Sequence, residues 1–292
     1  MIEAQDNELR KKAEAIFGRE CLNQSLSLPD SYFAILYQSA CWLETQCQNG
    51  QHKTMGISGA QGSGKSTFAQ LLATLLVECF ETRTLVLSLD DFYLTRAERS
   101  KLMSISPMLK TRGVPGTHDL ALCLAAVASF RRGEPIWIPE FSKPHDDRVS
   151  ERIEPATGLQ LLILEGWCWG AEPEEDPALI EPINELERLQ DSDGVWRRYV
   201  NDQLKVYQPL FETDISLFLK VPDFDAVKRW RWQQEQGLPV GPARMSQTDV
   251  ERFIMHYERI TRRLLKVRSA QVDICLSLDH DHTIHVSKFP PI

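Results

Sequence analysis

The chain has 292 residues and a formal net charge of −8, with 42% hydrophobic and 25% charged residues. These proportions are close to globular averages, which excludes global disorder and indicates one large α/β domain or two modest ones. The net acidity excludes a protein that binds nucleic acid through overall charge, because neutralising phosphates requires a basic surface. A small, locally basic site for a phosphorylated ligand is still compatible with this net negative charge.

The sequence carries no signal for export or for membrane insertion. The seven cysteines are scattered, without a C-x-x-C pair or zinc-ligand spacing. The first twenty residues lack an apolar secretory stretch, and no apolar run reaches the ~18–20 residues of a membrane span. We therefore expect a cytoplasmic protein that binds neither membranes nor nucleic acid, while the sequence leaves the oligomeric state open.

The chain begins with helices and continues as a strand–helix–strand unit. Apolar residues at helical spacing predict two helices within residues 4–48, so residues 1–48 are interpreted as an N-terminal helical extension. Next come a buried strand (TMGIS), a helix (STFAQLLATLLVECF) and a second strand (TLVLSL) that runs into two aspartates. This order is a βαβ unit, which predicts a parallel sheet.

Helices and strands continue around two irregular stretches. A loop (RGVPGTHD) precedes a helix near residues 120–130 and an extended, proline-rich piece (EPIWIPEF), and LQLLILEG is the clearest buried strand. Residues 170–194 are acidic and contain prolines, which indicates a surface insertion. Later elements are a helix at 196–207, a strand (DISLFLKV), a helix (AVKRWRWQQEQ), a helix at 249–266 and the strands VDICLSLD and TIHVSKF. The predicted fold class is α/β, a parallel sheet flanked by helices.

A glycine-rich loop between the first strand and its helix is the sharpest motif. It matches G-x-x-x-x-G-K-[ST] through Gly59, Ala60, Gln61, Gly62, Ser63, Gly64, Lys65 and Ser66, followed by Thr67. Glycines let backbone N–H groups curl around phosphate oxygens, and the start of the helix adds oriented N–H groups. Lys65 offers a charge to the β- and γ-phosphates, and Ser66 offers a hydroxyl to Mg²⁺. The motif therefore predicts a nucleoside triphosphate with Mg²⁺, and by itself it does not choose among kinases, GTPases and motor ATPases.

Carboxylates follow two of the predicted strands. Asp90 and Asp91 come after the second strand and Glu165 ends LQLLILEG, so all three are expected at the carboxyl edge of the sheet, where open α/β proteins bind ligands. One aspartate can take a proton from an attacking hydroxyl while the other assists Mg²⁺, or the pair simply caps the following turn. Glu165 either holds the Mg²⁺ shell or is an ordinary residue of the sheet edge.

Two polar loops are weaker candidates for an acceptor site. Arg112 lies among glycines and a proline, so a stiff loop can present its guanidinium to a substrate carboxylate; the alternative is a pair with a neighbouring acid. Lys143 and Arg148 belong to the cluster FSKPHDDR, which can also be a solvated run of charges.

Aromatic and basic residues alternate in KRWRW, at residues 228–232. Such a stretch can stack on nucleic-acid bases, but Gln and Glu follow it on an acidic chain, which favours a lid helix with packed tryptophans. His280, His282 and His285 lack partners at metal-ligand spacing, so HDHTIH is interpreted as a hairpin turn without a function.

Taken together, the motifs resemble the small-molecule kinases of the phosphoribulokinase, uridine kinase and pantothenate kinase superfamily. The likeness rests on the glycine-rich loop, on D-x-F-Y at residues 90–93 and on E-G at residues 165–166. RGVPGTHD and WRWQQE are similar to segments of plant- and fungal-type D-glycerate 3-kinases. The resemblance implies a P-loop NTPase-like kinase domain over residues 49–292, with a helical lid at about 223–248.

The resemblance also implies roles for single residues. Asp90 would be the catalytic base, and Lys65 and the lid residue Arg231 would balance charge on the transferred phosphoryl group. The Mg²⁺ ligands would be Ser66, Asp90 and Glu165. The acceptor would lie near Asp91, Tyr93, Arg112, His118, Asp119, Lys143 and Arg148. The implied reaction is the ATP- and Mg²⁺-dependent phosphorylation of a hydroxyl of a small hydroxy acid, D-glycerate to 3-phosphoglycerate.

Two alternative functions remain compatible with the sequence. The first is a kinase for another small alcohol, such as a nucleoside, pantothenate or a sugar-like compound. The second is a nucleotide-dependent ATPase switch that acts on a protein partner, which the DDFY and PGTHD stretches disfavour.

Overall fold

Strands form a central sheet and a separate hairpin. The computed structural model describes residues 2–48, 52–237 and 244–291. Its strands are β1 (Lys53–Gly59), β2 (Thr84–Ser88), β3 (Ile136–Ser142), β4 (Asp147–Glu154), β5 (Leu161–Gly166), β6 (Ile215–Lys220), β7 (Ile274–Leu278) and β8 (Ile284–Lys288). The sheet has the order β2–β5–β1–β6–β7–β8 and is parallel except for β8, which runs antiparallel to β7. The predicted α/β fold class is confirmed.

Helices connect the strands. They are α1 (Ile2–Asn23), α2 (Asp30–Cys47), α3 (Lys65–Phe80), α4 (Arg96–Leu102), α5 (Leu120–Arg132), α6 (Glu185–Gln190), α7 (Val195–Phe211), α8 (Phe224–Gln236) and α9 (Gln247–Gln271), with short 3-10 turns at Leu89–Phe92, Pro107–Lys110 and Asp176–Leu179. Within the described part of the chain, no helix is long and apolar enough to cross a membrane. Residues 49–51, where the predicted kinase domain begins, and residues 238–243 of the predicted lid lie outside the described residues.

The middle of the sheet is buried and holds the glycine-rich loop. Every residue of β5 is buried, and so is all of β1 after Lys53. Such continuous burial is expected when both faces of a parallel sheet are covered. Because β1 lies between β5 and β6, the loop that follows it leaves the sheet at its centre.

The N-terminal helices α1 and α2 pack against α3, the helix that follows the glycine-rich loop. Tyr32 of α2 meets Phe68 of α3 edge-on, with ring centroids 6.0 Å apart. At its other end α2 contacts β8, and the ring centroids of Trp42 and Phe289 are 6.1 Å apart. The extension therefore forms an outer layer over α3 and joins it to the C-terminal strands.

The proline-rich piece is one strand of a hairpin whose other strand the sequence does not predict. β3 and β4 pair antiparallel from Ile136–Glu154 to Ser142–Asp147, with a bulge between Glu140 and Phe141. Most of β4 is exposed, so its sequence lacks the alternation of apolar and polar residues that indicates a strand. The turn of this hairpin, residues 143–146, carries part of the polar cluster.

Contrary to the expectation of a purely surface insertion, residues 170–194 are fastened to the helices beside them. Glu187 and Asp191 are 0% and 2% exposed. Arg259 of α9 donates to the two carboxylate oxygens of Glu187 at 2.9 and 2.6 Å, and Arg197 of α7 pairs with Asp191 at 3.0 Å. Composition alone could not reveal this, because the arginines lie in other elements.

Candidate active site

The glycine-rich loop joins β1 to α3 through two glycines in left-handed conformation. Gly64 has φ +80° and directly precedes Lys65, the first residue of α3. Gly62 has φ +79°, and a Cβ there would lie 2.8 Å from Cβ of Trp230 in α8. Side chains are disfavoured at both positions, so the spacing of the motif follows from the path of the backbone.

Polar atoms of this loop are free for a ligand. Gln61 Oε1 and Ser63 Oγ are buried and have no hydrogen-bond partner among the described residues. Buried polar atoms are normally paired in native proteins. The N-terminus of α3 adds N–H groups and the positive end of the helix dipole, which attract anions. The loop therefore fits a phosphate group.

Lys65, Ser66 and Glu165 meet where α3 begins. The pairing of β1 with β5 places Glu165 opposite Ile57, close to the loop. Ser66 Oγ donates to Glu165 Oε1 at 2.7 Å, and Lys65 Nζ is 3.9 Å from Oε2. Glu165 is 3% exposed, and its Oε2 has no hydrogen bond to any described residue. A hydroxyl and a carboxylate beside a phosphate loop are the oxygen donors that Mg²⁺ prefers, so these residues fit the ion.

Asp90 and Asp91 differ in role although they are adjacent. Both lie in the 3-10 turn after β2, where the N–H of Asp90 donates to Ser88 Oγ at 3.2 Å. Asp91 Oδ2 accepts the N–H of Ser88 at 3.4 Å, and burial raises the pKa of Asp91. Asp91 does not line the cavity described below, and its contact with the acceptor stays a prediction. The capping interpretation holds for Asp91 and not for Asp90.

The carboxylate of Asp90 is held by two donors. Tyr93 donates its hydroxyl to Oδ1 at 2.6 Å, and Lys143 Nζ donates to Oδ2 at 2.9 Å. Burial favours the protonated form of Asp90, but the charges of Lys143 and Lys65 and these hydrogen bonds outweigh it and lower its pKa to about 2. Asp90 is therefore an oriented, ionised carboxylate at neutral pH.

One cavity of about 370 Å³ brings these groups together. It is lined by Gln61, Gly62, Lys65, Ser66, Asp90, Tyr93, Arg112, Lys143, Trp167, Arg231, Gln234, Phe253 and Tyr257. Among these described lining residues there are four lysines or arginines and a single carboxylate, that of Asp90. An acidic chain thus has a locally cationic cavity, which attracts anions. The chemical roles of the residues that line it stay predictions.

Arg112 pairs with a neighbouring acid and also lines the cavity. It lines the cavity, and its Nη1 lies 2.5 Å from Asp146 Oδ1 in the β3–β4 turn. Its guanidinium lies 5.9 Å from the ring centroid of Tyr93 and 5.5 Å from that of Phe141. A neighbouring acid and two rings therefore orient an arginine that still faces the cavity.

Three of the predicted acceptor residues lie behind Tyr93 and do not line the cavity. His118 stacks on Tyr93 at 4.9 Å, its Nδ1 is 2.7 Å from the hydroxyl of Tyr207, and burial lowers its pKa to about 4. Asp119 caps α5 and pairs with Arg148 at 3.0 Å, and Arg148 Nε donates to the Tyr93 carbonyl at 2.9 Å. These residues contact Tyr93 or each other, and their contact with the acceptor stays a prediction.

Several residues at the site are not predicted from the sequence. Trp167, Gln234, Phe253 and Tyr257 line the cavity. In the C-terminal turn, to which no function is assigned above, His282 Nε2 lies 2.9 Å from the Gly62 carbonyl, and its ring stacks on Trp230 at 3.8 Å. Local spacing carries no signal for these contacts, because the strand order, not the chain order, brings β7 and β8 near β1.

Moving a phosphoryl group from a nucleoside triphosphate to a small molecule requires positioned phosphates, a base near the acceptor and cations near the transferred group. This sheet edge has a phosphate loop, an ionised aspartate and four cations around one small cavity. The fold and the site thus define a small-molecule kinase of the P-loop class.

Known proteins are similar to this chain over most of its length. The uncharacterised kinase mug58 of Schizosaccharomyces pombe is 36% identical over 225 residues, 71% of this chain and 79% of that protein. The probable ATP-dependent kinase TDA10 of Saccharomyces cerevisiae is 27% identical over 267 residues, 80% and 86% of the two chains. No protein-family model matches the chain.

A solved structure shows the same fold. The D-glycerate 3-kinase of Cryptococcus neoformans var. grubii serotype A covers 87% of this chain and 99% of its own, with a TM-score of 0.71 and 24% identity. The chain belongs to the family of P-loop small-molecule kinases that includes the fission-yeast relative, and it is an ATP-dependent small-molecule kinase.

Proposed function

We propose that this kinase phosphorylates a small hydroxy acid, D-glycerate, to 3-phosphoglycerate. The observation that carries the proposal is the position of Arg112 and Lys143 on the same cavity as Asp90. A hydroxy acid needs a base at its hydroxyl and a cation at its carboxylate, and guanidinium groups bind carboxylates in two-pronged geometry. A nucleoside acceptor has no carboxylate for Arg112. The fold shared with a D-glycerate 3-kinase supports the proposal.

Magnesium is the proposed cofactor, and it would neutralise charge on the nucleotide phosphates. Ser66 and Glu165 would hold it, with Asp90 nearby. Within the described residues no three His, Cys, Asp or Glu side chains converge as a metal site. Mg²⁺ commonly completes its shell with substrate phosphates and water when the protein offers one or two carboxylates, so a set of this size is adequate.

In the proposed reaction, the acceptor hydroxyl oxygen forms a bond to the γ-phosphorus while the bond from that phosphorus to the leaving oxygen of ADP breaks. Asp90 accepts the hydroxyl proton, with Tyr93 holding its other oxygen. In a loose transition state the bond between the hydroxyl oxygen and phosphorus is still weak, so the hydroxyl becomes acidic only late in the reaction. A base with a low pKa therefore suffices. Lys65 and Arg231 balance charge on the transferred group.

A panel of acceptors tests the substrate. The purified enzyme is given ATP and Mg²⁺ with D-glycerate, L-glycerate, pantothenate, uridine or no acceptor, ADP release is followed in a coupled assay, and products are identified by ³¹P NMR. D-Glycerate should have the highest kcat/KM and yield 3-phosphoglycerate. A higher value with pantothenate would contradict D-glycerate as the acceptor, and a higher value with uridine would contradict an acceptor that carries a carboxylate. ADP release without a phosphorylated product would favour the ATPase alternative.

Arg112 provides the matched variant for this assay. Arg112→Met should lower kcat/KM for D-glycerate by about 10- to 100-fold, since a charge-assisted hydrogen bond contributes about 1.5–3 kcal/mol. The KM for ATP should stay within about threefold, as the glycine-rich loop is untouched. An equal loss toward both substrates would mean that Arg112 supports the fold of the cavity and does not select the acceptor.

A further inference from the structure

Glu235 is a buried carboxylate that pairs with the cavity residue Arg231 and that the reaction described above does not use. It lies on α8, one helical turn after Arg231, and is 1% exposed. Its Oε2 is 2.8 Å from Arg231 Nη2, and its Oε1 accepts the N–H of Met245 at 2.8 Å. A charge in such a place is costly unless it is paired. Among the described residues, Arg231 is the cation that compensates it.

Glu235 and Phe253 restrain Arg231 from two sides. Its side chain is 18% exposed, lines the cavity with Lys65, and lies with its guanidinium carbon 5.8 Å from the ring centroid of Phe253 in α9. An arginine without such restraints samples many rotamers. Fixing it in advance removes that ordering cost from the transition state.

Glu235 also links the two sides of the predicted lid. Arg231 and Glu235 belong to α8, whereas Met245 lies just before α9 begins at Gln247. One carboxylate therefore contacts both the arginine on α8 and the backbone just before α9. A change in the position of this carboxylate must move Arg231 relative to the cavity.

We propose that Glu235 is a positioning residue that aims Arg231 at the phosphoryl-transfer region. This inference rests on the role proposed above for Arg231. If Glu235 is a positioning residue, removal of its charge should affect turnover only when Arg231 is present. If Glu235 only stabilised the helix, the same change would affect turnover with or without Arg231.

A double-mutant cycle tests the proposal with Glu235→Gln, Arg231→Ala and the double variant. Glutamine keeps an oxygen for the Met245 N–H and removes the charge that holds Arg231. With the best acceptor of the panel, Glu235→Gln should lower kcat by about 10- to 100-fold, as expected for a misplaced catalytic group, with the KM for ATP within about threefold. In the Arg231→Ala background, Glu235→Gln should change kcat less than twofold, because the effects of substitutions at coupled residues are not additive.

Glu258→Gln is the matched control. Glu258 is also a buried carboxylate that pairs with an arginine four residues away, Arg262. Arg262 does not line the cavity, whereas Arg231, the partner of Glu235, does. The kcat of Glu258→Gln should stay within about twofold of the wild type. If Glu235→Gln unfolds the protein, Glu235→Asp serves instead, because it keeps the charge and withdraws it by one methylene.

Two results would overturn the proposal. An equal loss of kcat from Glu235→Gln with and without Arg231 would assign Glu235 to the fold alone. An unchanged kcat in Arg231→Ala would remove both the role of Arg231 and that of Glu235. Neither result affects the identity of the acceptor, which the panel measures in the wild-type enzyme.

Discussion

Asp90 and Asp91 show how neighbouring groups decide what a carboxylate does. Lys143, Lys65 and Tyr93 surround Asp90 and lower its pKa to about 2, although burial acts in the opposite direction. Asp91 accepts a hydrogen bond from the backbone N–H of Ser88 in its own turn, and burial raises the pKa of Asp91. Because a lowered pKa leaves a carboxylate ionised at every pH above it, protonation of Asp90 does not limit the free enzyme near neutrality.

Replacement of Asp90 by asparagine should separate base catalysis from nucleotide binding. Asp90→Asn keeps the size of the side chain and removes the proton acceptor, so kcat should fall by about 10²–10⁴-fold. The affinity for ATP, measured by equilibrium titration, should change little. Asp91→Asn is the control, because an amide oxygen can still accept the Ser88 N–H, and its kcat should be close to that of the wild type. Near-full activity in Asp90→Asn would refute the assignment of the base.

At the level of elements, the glycine-rich loop is clamped between α8 and the turn that joins β7 to β8. Trp230 of α8 lies against Gly62, and His282 of the turn contacts the Gly62 carbonyl while its ring stacks on Trp230 with an interplanar angle of 28°. Trp230 is 2% exposed. The middle of α8 and the phosphate loop therefore form one packed unit, and the tryptophan has the packing role that the sequence predicts.

Two glycines of the loop allow this clamp to be measured. Alanine at Gly62 or Gly64 adopts a left-handed conformation, which costs about 1–2 kcal/mol at either position. Only Gly62→Ala also meets Trp230; a Cβ at Gly64 has no atom within 4 Å. The free energy of unfolding, measured with urea without nucleotide, should fall by about 1–3 kcal/mol more in Gly62→Ala, the usual cost of overpacking. Equal losses in the two variants would show that the clamp is absent in solution.

For the whole molecule, the distribution of charge matters more than its sum. The −8 chain gathers four cations around its cavity, while buried acids of the insertion pair with arginines of α7 and α9. Arg259, which binds Glu187, follows Phe253 and Tyr257 on α9, and those two residues line the cavity. The insertion is thus joined to the helix that forms one wall of the site.

Removal of Glu187 should loosen the insertion without abolishing turnover. Glu187→Ala leaves Arg259 without its fully buried partner, so the free energy of unfolding should fall by about 3–5 kcal/mol, the typical cost of breaking a buried pair. The exposed pair of Glu185 and Arg188 gives a control, and Glu185→Ala should cost less than about 1 kcal/mol. Urea unfolding measures both. A loss below 1 kcal/mol in Glu187→Ala would mean that the insertion is not held by this pair.

Local patterns were sufficient to predict most elements and the glycine-rich loop. Hydrophobic spacing indicates a helix or a buried strand because each element buries its own apolar stripe. The strand β4, whose residues are largely exposed, and the short helices α4 and α6 were not predicted. The same limit applies to the acids of the insertion, as nothing near Glu187 in sequence shows that its partner is Arg259.

The sequence by itself determined the order of most strands and helices, the phosphate loop and the carboxylates at the sheet edge, because backbone conformation and apolar periodicity act over a few residues. Only the tertiary structure decided which polar groups share the cavity. Arg112 and Lys143 reach it from separate loops, whereas Asp119 and Arg148 neutralise each other behind Tyr93. The role of a charge depends on the partner it meets, and the folding of distant segments onto one sheet edge selects that partner.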